Sequence, residues 1–349
     1  MPIRRLSVTR NDDVYECFPC LVRTQSGRLI TIYRESEAHS CAEYSHIVMR
    51  HSVDEGETWS DRQVLVESYR ADGVLCKYNC PRISQLRDGR LVAVCDAYNT
   101  PPGERLGARD AINVLWFSDD DGATWSEPAE TPVTGIVPDK IVETASGAWL
   151  LAVHVGPYDV NAGEQYLHQR VFRSTDMGAT WEGPISVGYS DGLNLCEGGI
   201  VQLPDATLVC YMRENSNLGW VGYKSLSTDD GRSWDGPYPT LIPGCHRPVP
   251  GLLPSGDVMV TFRHQLGGRG PFAKNLFAYR ETVSSAVATE PAEQGGIILP
   301  LDHDRAERSD SSYSGWCVLG DGTIFAVSYI RDDAPMAQIR GYLFAEADF

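Results

Sequence analysis

The sequence predicts an all-β fold, a six-bladed β-propeller of four-stranded antiparallel blades, in a single domain over residues 1–349. Three observations predict it. A turn motif ending in tryptophan returns four times, a strand–turn–strand unit returns six times, and no segment carries a sustained helical period.

The first repeat reads Ser-x-Asp-x-Gly-x-Thr/Ser-Trp. It occupies Ser52–Trp59, Ser118–Trp125, Ser174–Trp181 and Ser227–Trp234, at intervals of 66, 56 and 53 residues. The residue types suit a hairpin: Asp caps backbone N–H groups, Gly accepts a positive φ, and Trp pins the turn beneath the sheet.

The second repeat supplies the remaining units. Its tight turns fall near Gly27, Gly89, Gly147, Ala206, Gly256 and Gly322, in steps of 50 to 66 residues. Apolar runs such as Leu208–Met212 follow each turn and are short enough for buried strands. Six turns mean six blades, of which the fifth and sixth lack the Trp turn. Arg4–Val8 is placed to complete the sheet formed by Gln338–Phe344, which removes two open edges.

Composition narrows the function. With 42% hydrophobic and 9% aromatic residues the chain can bury a core, so disorder is excluded. A formal charge of −17 repels nucleic acid and anionic membrane surfaces, and no run of about 18 apolar residues spans a membrane. The opening Met1–Leu6 lacks the apolar core of a secretory signal, so the protein is expected to be cytoplasmic, or secreted with its signal already removed. Cys20, Cys95, Cys196, Cys210 and Cys317 lie in or beside apolar strand-like runs, where a reduced thiol packs as a small hydrophobe. Cys17-Phe18-Pro19-Cys20 has no second ligand pair to complete a zinc site, so no metal is expected.

Hairpin geometry indicates which residues surround a cavity. Positions about eight before each turn are Phe18, Cys80, Pro138, Glu197, Arg247 and Tyr313. Positions just after the second strand include Arg34, Asp96, His154, Arg213, Arg263 with His264, and Arg331. A rim this polar and rich in arginine is costly to build and reads as a site for an anionic ligand.

With these motifs the chain resembles the sialidase (neuraminidase) superfamily of six-bladed propellers, whose Asp-box or BNR repeat is the Trp turn above. The resemblance spans nearly the whole chain, and it implies a Tyr nucleophile, an activating Glu and an arginine triad for the substrate carboxylate. Tyr313, in Ser312-Tyr313-Ser314-Gly315-Trp316, is similar to the nucleophile, and Glu197, in Cys196-Glu197-Gly198-Gly199, to its activator. Arg213 resembles the second triad arginine and Arg269 the third. The family's first arginine is absent, because Phe18-Pro19-Cys20 stands in its place; Arg34, Arg247 and Arg331 are the candidates to replace it. The family's general-acid Asp is also absent, with His39 and Glu43 the nearest titratable residues and Cys41 close to the expected position.

Three functions compete. The first is a sialidase-like exo-glycosidase acting on a terminal acidic sugar, with His154 and Asp96 also lining the site. The second is a polysaccharide lyase, in which Tyr313 with His154, His246 or His264, plus Arg247, would abstract the proton beside a uronate. The third is a carbohydrate-binding propeller without turnover. None requires a diffusible cofactor.

Overall fold

The computed structural model describes residues 3–100, 111–156, 165–266 and 273–349. The fold is all-β, six antiparallel sheets in the blade arrangement of a propeller. The chain divides into two compact units, Met1–Pro138 with Asp304–Asp348, and Asp139–His303 with Phe349.

The first unit holds three sheets. One contains Tyr15–Arg23, Leu29–Ser36, Ser45–Ser52 and Gln63–Val66; the next contains Val74–Gln85, Leu91–Thr100, Ile112–Ser118 and Ala129–Thr134. Ser314–Val318, Ile324–Ile330 and Gln338–Phe344 form the third, and the N-terminal strand Arg4–Ser7 completes it by pairing antiparallel with Gln338–Phe344. The second unit holds the sheets that begin at Val142, Leu195 and Cys245. The six expected turns are observed, with Gly27, Gly89, Gly147, Ala206, Gly256 and Gly322 all at positive φ.

Two local features depart from a uniform four-stranded repeat. Asp72 and Gly73, at φ 50° and 81°, make a tight hairpin that adds Tyr69–Ala71 as a fifth strand to the second sheet. In the fifth sheet, a short helix over Val283–Val287 stands between the last two strands, where the earlier blades carry a Trp turn. Lys224, fully buried, donates to Ser285 O at 2.8 Å and ties that helix down.

The Trp turns are closed by their own side chains. Ser52 Oγ donates to Asp54 Oδ1 at 2.7 Å, Thr58 N donates to the same oxygen at 2.9 Å, and Trp59 Nε1 donates to Gly56 O at 3.1 Å. The same Asp–Thr/Ser bond recurs at Asp120, Asp176 and Asp229. Hydrogen bonds from Thr58 and Thr124 hold the Asp54 and Asp120 carboxyls at about 2. Trp59 stacks on Phe325, which anchors the turn to the core.

The ten cysteines form no disulfide. Burial pushes the thiols of Cys95, Cys196 and Cys210 well up, and those of Cys17 and Cys317 to about 12, so these sulfurs serve packing. Among the described residues no helix is long and apolar enough to cross a membrane.

One buried carboxyl departs from the expected surface placement of acids. Glu16 is 2% exposed, lies directly opposite Glu35 across two strands, and accepts from Thr9 Oγ1. Arg62 takes up Glu35 at 2.7 and 2.9 Å. Burial, and then the Glu35 charge, push Glu16 up to about 8. Its folded-state pKa is thus raised, so its stabilising contribution is complete below about 4.5 and is lost as pH rises through about 8. Unfolding free energy is expected to fall between pH 5 and pH 9 in the wild-type protein, as roughly one proton is lost. Glu16→Gln should flatten that slope in denaturant titrations; parallel slopes for the two proteins would contradict this assignment.

Candidate functional site

Each blade bends at its first strand. Phe18, Cys80, Glu197 and Arg247 take left-handed φ of 58°, 43°, 52° and 49°, each inside a register shift where the first strand carries an extra residue. In the other two blades the left-handed residues are Val137 and Ser312, one position before the expected Pro138 and Tyr313. Non-glycine residues held this way cost about 1–3 kcal/mol each, and such strain gathers where side chains must be re-aimed. Proline follows in three of these bulges, at Pro19, Pro81 and Pro248, where the missing N–H suits an unpaired position, and Pro138 follows Val137.

In four blades the bulges bring the two expected residue sets together. Arg34 pairs opposite Cys17, Asp96 opposite Asn79, Arg213 opposite Cys196 and Arg263 opposite His246. Each partner therefore sits beside a left-handed residue.

In the unit of residues 1–138 and 304–348, Phe18 is the hub. Its ring lies 5.2 Å from Tyr313, 5.4 Å from Tyr329 and 5.3 Å from His39, with the Arg34 guanidinium 4.6 Å over its face. Close approach positions the Tyr313 strand, since a Cβ on Gly315 would stand 2.5 Å from Leu21 N, and Arg82 Nη1 donates to Ser314 O at 2.8 Å. Arg34 is 1% exposed and is spent on the next loop, donating to Asn79 Oδ1 at 2.6 Å and His39 O at 2.8 Å. Asp96 is buried, with Asn79 Nδ2 3.5 Å from its Oδ2. Arg331 donates to Pro335 O at 2.9 Å within its own loop. Glu43 is exposed beside Arg70 at 3.7 Å.

His39 has a partner that sequence reasoning missed. Its Nδ1 lies 2.6 Å from Asp310 Oδ2, and Asp310 also accepts from Tyr15 Oη and from Tyr329 Oη, the latter at 2.9 Å on Oδ1. The two residues are 271 positions apart, so no local pattern links them. The one available signal is the position of Asp310, three residues before Tyr313.

In the unit of residues 139–303, Glu197 is held among cations. Arg213 Nη1 donates to its Oε1 at 3.0 Å, with both side chains largely buried. The Gly198-Gly199 pair after it allows tight packing, because a Cβ on Gly199 would stand 2.5 Å from Pro248 O. His154 Nδ1 accepts the Glu197 N–H at 3.3 Å, which leaves the proton of the neutral ring on Nε2. Burial lowers His154 to about 4; the Glu197 charge opposes this and the Arg247 and Arg213 charges add to it. Burial, then Arg213 and Arg263, lower His246 to about 2, and burial lowers His264, which stacks on Phe277. Arg247 is 1% exposed. Arg213 thus pairs with Glu197, while Arg247 acts on the neutral His154 and Arg263 on the neutral His246, an arrangement suited to an anion. Arg269 lies outside the described residues. Among the described residues no group of three or more His, Cys, Asp or Glu is placed to hold a metal ion.

Comparison with known proteins matches residues 76–271 to the BNR repeat-like domain. A sialidase of Micromonospora viridifaciens is 25% identical over 334 residues, covering 87% of this chain and 48% of that protein, so the chain spans about half the length of this relative. Among solved structures, a Dyadobacter fermentans protein of unknown function matches with a TM-score of 0.78 at 17% identity, covering 98% of this chain and 99% of that one. A Hadza microbial sialidase matches at 0.71 and 19% identity, covering 95% and 66%. The Ruminococcus gnavus intramolecular trans-sialidase, solved with oseltamivir carboxylate, matches at 0.67 and 13%, covering 96% and 95%. These likenesses establish a shared fold.

Proposed function

This chain belongs to the BNR repeat-like domain family, and on that premise we propose that it is a sialidase-like exo-glycosidase releasing a terminal acidic sugar. Residues 1–349 act as one working domain in this reading. Tyr313 attacks the anomeric carbon, Glu197 takes the phenolic proton, and the leaving oxygen is protonated as its bond to the sugar breaks. Water then attacks the glycosyl–tyrosine, and Glu197 returns the proton to the departing phenol. A phenol suits this role because an anionic carboxylate nucleophile would be repelled by the sugar's own carboxylate.

The observation that carries the proposal is Glu197 itself, a buried carboxylate placed in a strained bulge and paired with Arg213, with Arg247 acting on the neighbouring His154 and Arg263 on His246. The arginines supply carboxylate recognition, with Arg269 a further candidate. Phe18, standing where the resemblance expects an arginine, implies an acidic sugar held with fewer guanidinium forks than an ordinary sialoside. The sialidase likeness of the relatives supports the same class.

The lyase reading is weaker on one physical ground. Of the groups it would pair with Tyr313, His154 and His246 have conjugate acids at about 4 and about 2, and burial lowers His264 as well, which makes these histidines poor proton acceptors at neutral pH. The discriminating experiment offers sialosides, aryl glycosides and uronate-containing polysaccharides, read in parallel for new reducing ends and for 4,5-unsaturated absorbance. Reducing ends or sialic acid without absorbance are expected. An absorbing product would move the protein to elimination, and glycan binding without either signal would leave a binding propeller.

A further inference from the structure

We propose that Asp310 is a positioning residue that fixes His39 as the proton donor to the leaving oxygen, a role left open between His39 and Glu43 by sequence alone. This deepens the hydrolase reading and rests on it.

The geometry separates the two candidates. Glu43 is 73% exposed, with Arg70 3.7 Å away, which amounts to a solvated surface pair. His39 is 54% exposed but tethered at one nitrogen, 2.6 Å from a carboxylate that is itself 12% exposed. An ionised carboxylate only accepts, so Nδ1 carries the donated proton and Nε2 is the nitrogen left to exchange one with a ligand. The loop's backbone is fixed as well, because Arg34 Nη2 donates to His39 O at 2.8 Å.

Asp310 is held from three sides in the loop before the Ser314–Val318 strand. Tyr15 and Tyr329 donate to it from two other strands, and its own N–H donates to the buried Asp304 at 2.8 Å. Burial, then the Asp310 charge, keep Tyr15 protonated as a donor. Cys17, Arg34 and Cys41 are the other ionisable groups packed about this cluster, and burial holds Cys17 as a thiol. His39 and Tyr313 both flank the Phe18 ring, at 5.3 and 5.2 Å, so donor and attacking phenol share one apolar wall.

In the first step the imidazolium gives its Nε2 proton to the glycosidic oxygen as that bond breaks and the Tyr313 Oη–carbon bond forms. In the second, Nε2 accepts a proton from the attacking water as the tyrosyl bond breaks. The imidazolium is then restored and no co-reactant other than water is consumed.

The test compares a nitrophenyl sialoside, whose leaving group needs no acid, with a sialyllactose, whose leaving group does. Asp310→Asn and His39→Asn are expected to lose about a hundredfold or more in kcat/KM on sialyllactose and less than about tenfold in kcat/KM on the nitrophenyl substrate, since only the first step depends on the leaving group. Nitrogen-15 NMR of the neutral wild-type imidazole should show the Nδ1–H tautomer, and Asp310→Asn should lose that preference. His39 is exposed, so His39→Asn keeps the test valid should Asp310→Asn fail to fold. Equal losses on both substrates, or full activity of His39→Asn, would overturn the assignment while Tyr313→Phe inactivation upholds hydrolysis. Failure of the wild-type protein on both substrates would instead remove the hydrolase reading, and this role with it.

Discussion

Tyr313→Phe is expected to lower kcat by at least about a thousandfold while unfolding free energy stays within about 1 kcal/mol of wild type. The asymmetry comes from what the substitution removes. The ring is buried against Phe18 at 5.2 Å and Tyr329 at 6.3 Å, and phenylalanine keeps those contacts. Only the attacking oxygen is lost. Glu197→Gln should cost about a hundredfold or more, since an amide cannot take the phenolic proton. Full activity in either variant on the protein's true substrate would remove the Tyr/Glu pair from the mechanism. A large loss of stability in Tyr313→Phe would mark the hydroxyl as structural.

Arg213→Ala should destabilise the fold by about 3–5 kcal/mol, the cost of removing one partner from a buried ion pair. Arg213 and Glu197 meet at 3.0 Å with side chains 12% and 8% exposed, so solvent does little to replace the lost partner. Urea unfolding at pH 7 measures the effect. The double variant Glu197→Gln with Arg213→Met should recover most of it, because both buried charges are then gone. A single variant within about 0.5 kcal/mol of wild type would show that the pair is screened. Arg213→Lys should keep most of the stability yet raise KM for an acidic substrate, since an ammonium cannot offer the bidentate fork.

The fold was legible because its determinants are local. Each Trp turn is closed by a Ser, an Asp and a Thr or Ser within seven residues, so the motif carries its own hydrogen bonds. The six turn residues carry their positive φ in their own identities or their neighbours'. The fifth strand at Tyr69–Ala71 was less legible, since its hairpin rests on one Asp72-Gly73 pair. Pro19, Pro81 and Pro248 marked three of the bulges in plain sight, but their meaning emerges only when the register shift is known.

The site was legible where one strand pair makes it and opaque where distant segments do. Glu197 and Arg213 meet through a single hairpin, 16 residues apart, and both were singled out from the sequence. Asp310 acts on His39 across 271 residues, and nothing near either residue predicts it. Arg34 shows the converse: an arginine at a rim position is turned inward by Asn79 and the His39 loop, so residue type and position alone misstate its reach.

The most direct test of the account is to incubate the protein with a fluorinated sialosyl fluoride, whose fluorine slows hydrolysis of a glycosyl–enzyme, and to map the modified peptide by mass spectrometry. The account predicts one adduct, on the peptide carrying Tyr313 and absent from Tyr313→Phe. An adduct on another residue, or turnover of sialosides by a wild-type protein that forms no adduct, would contradict it.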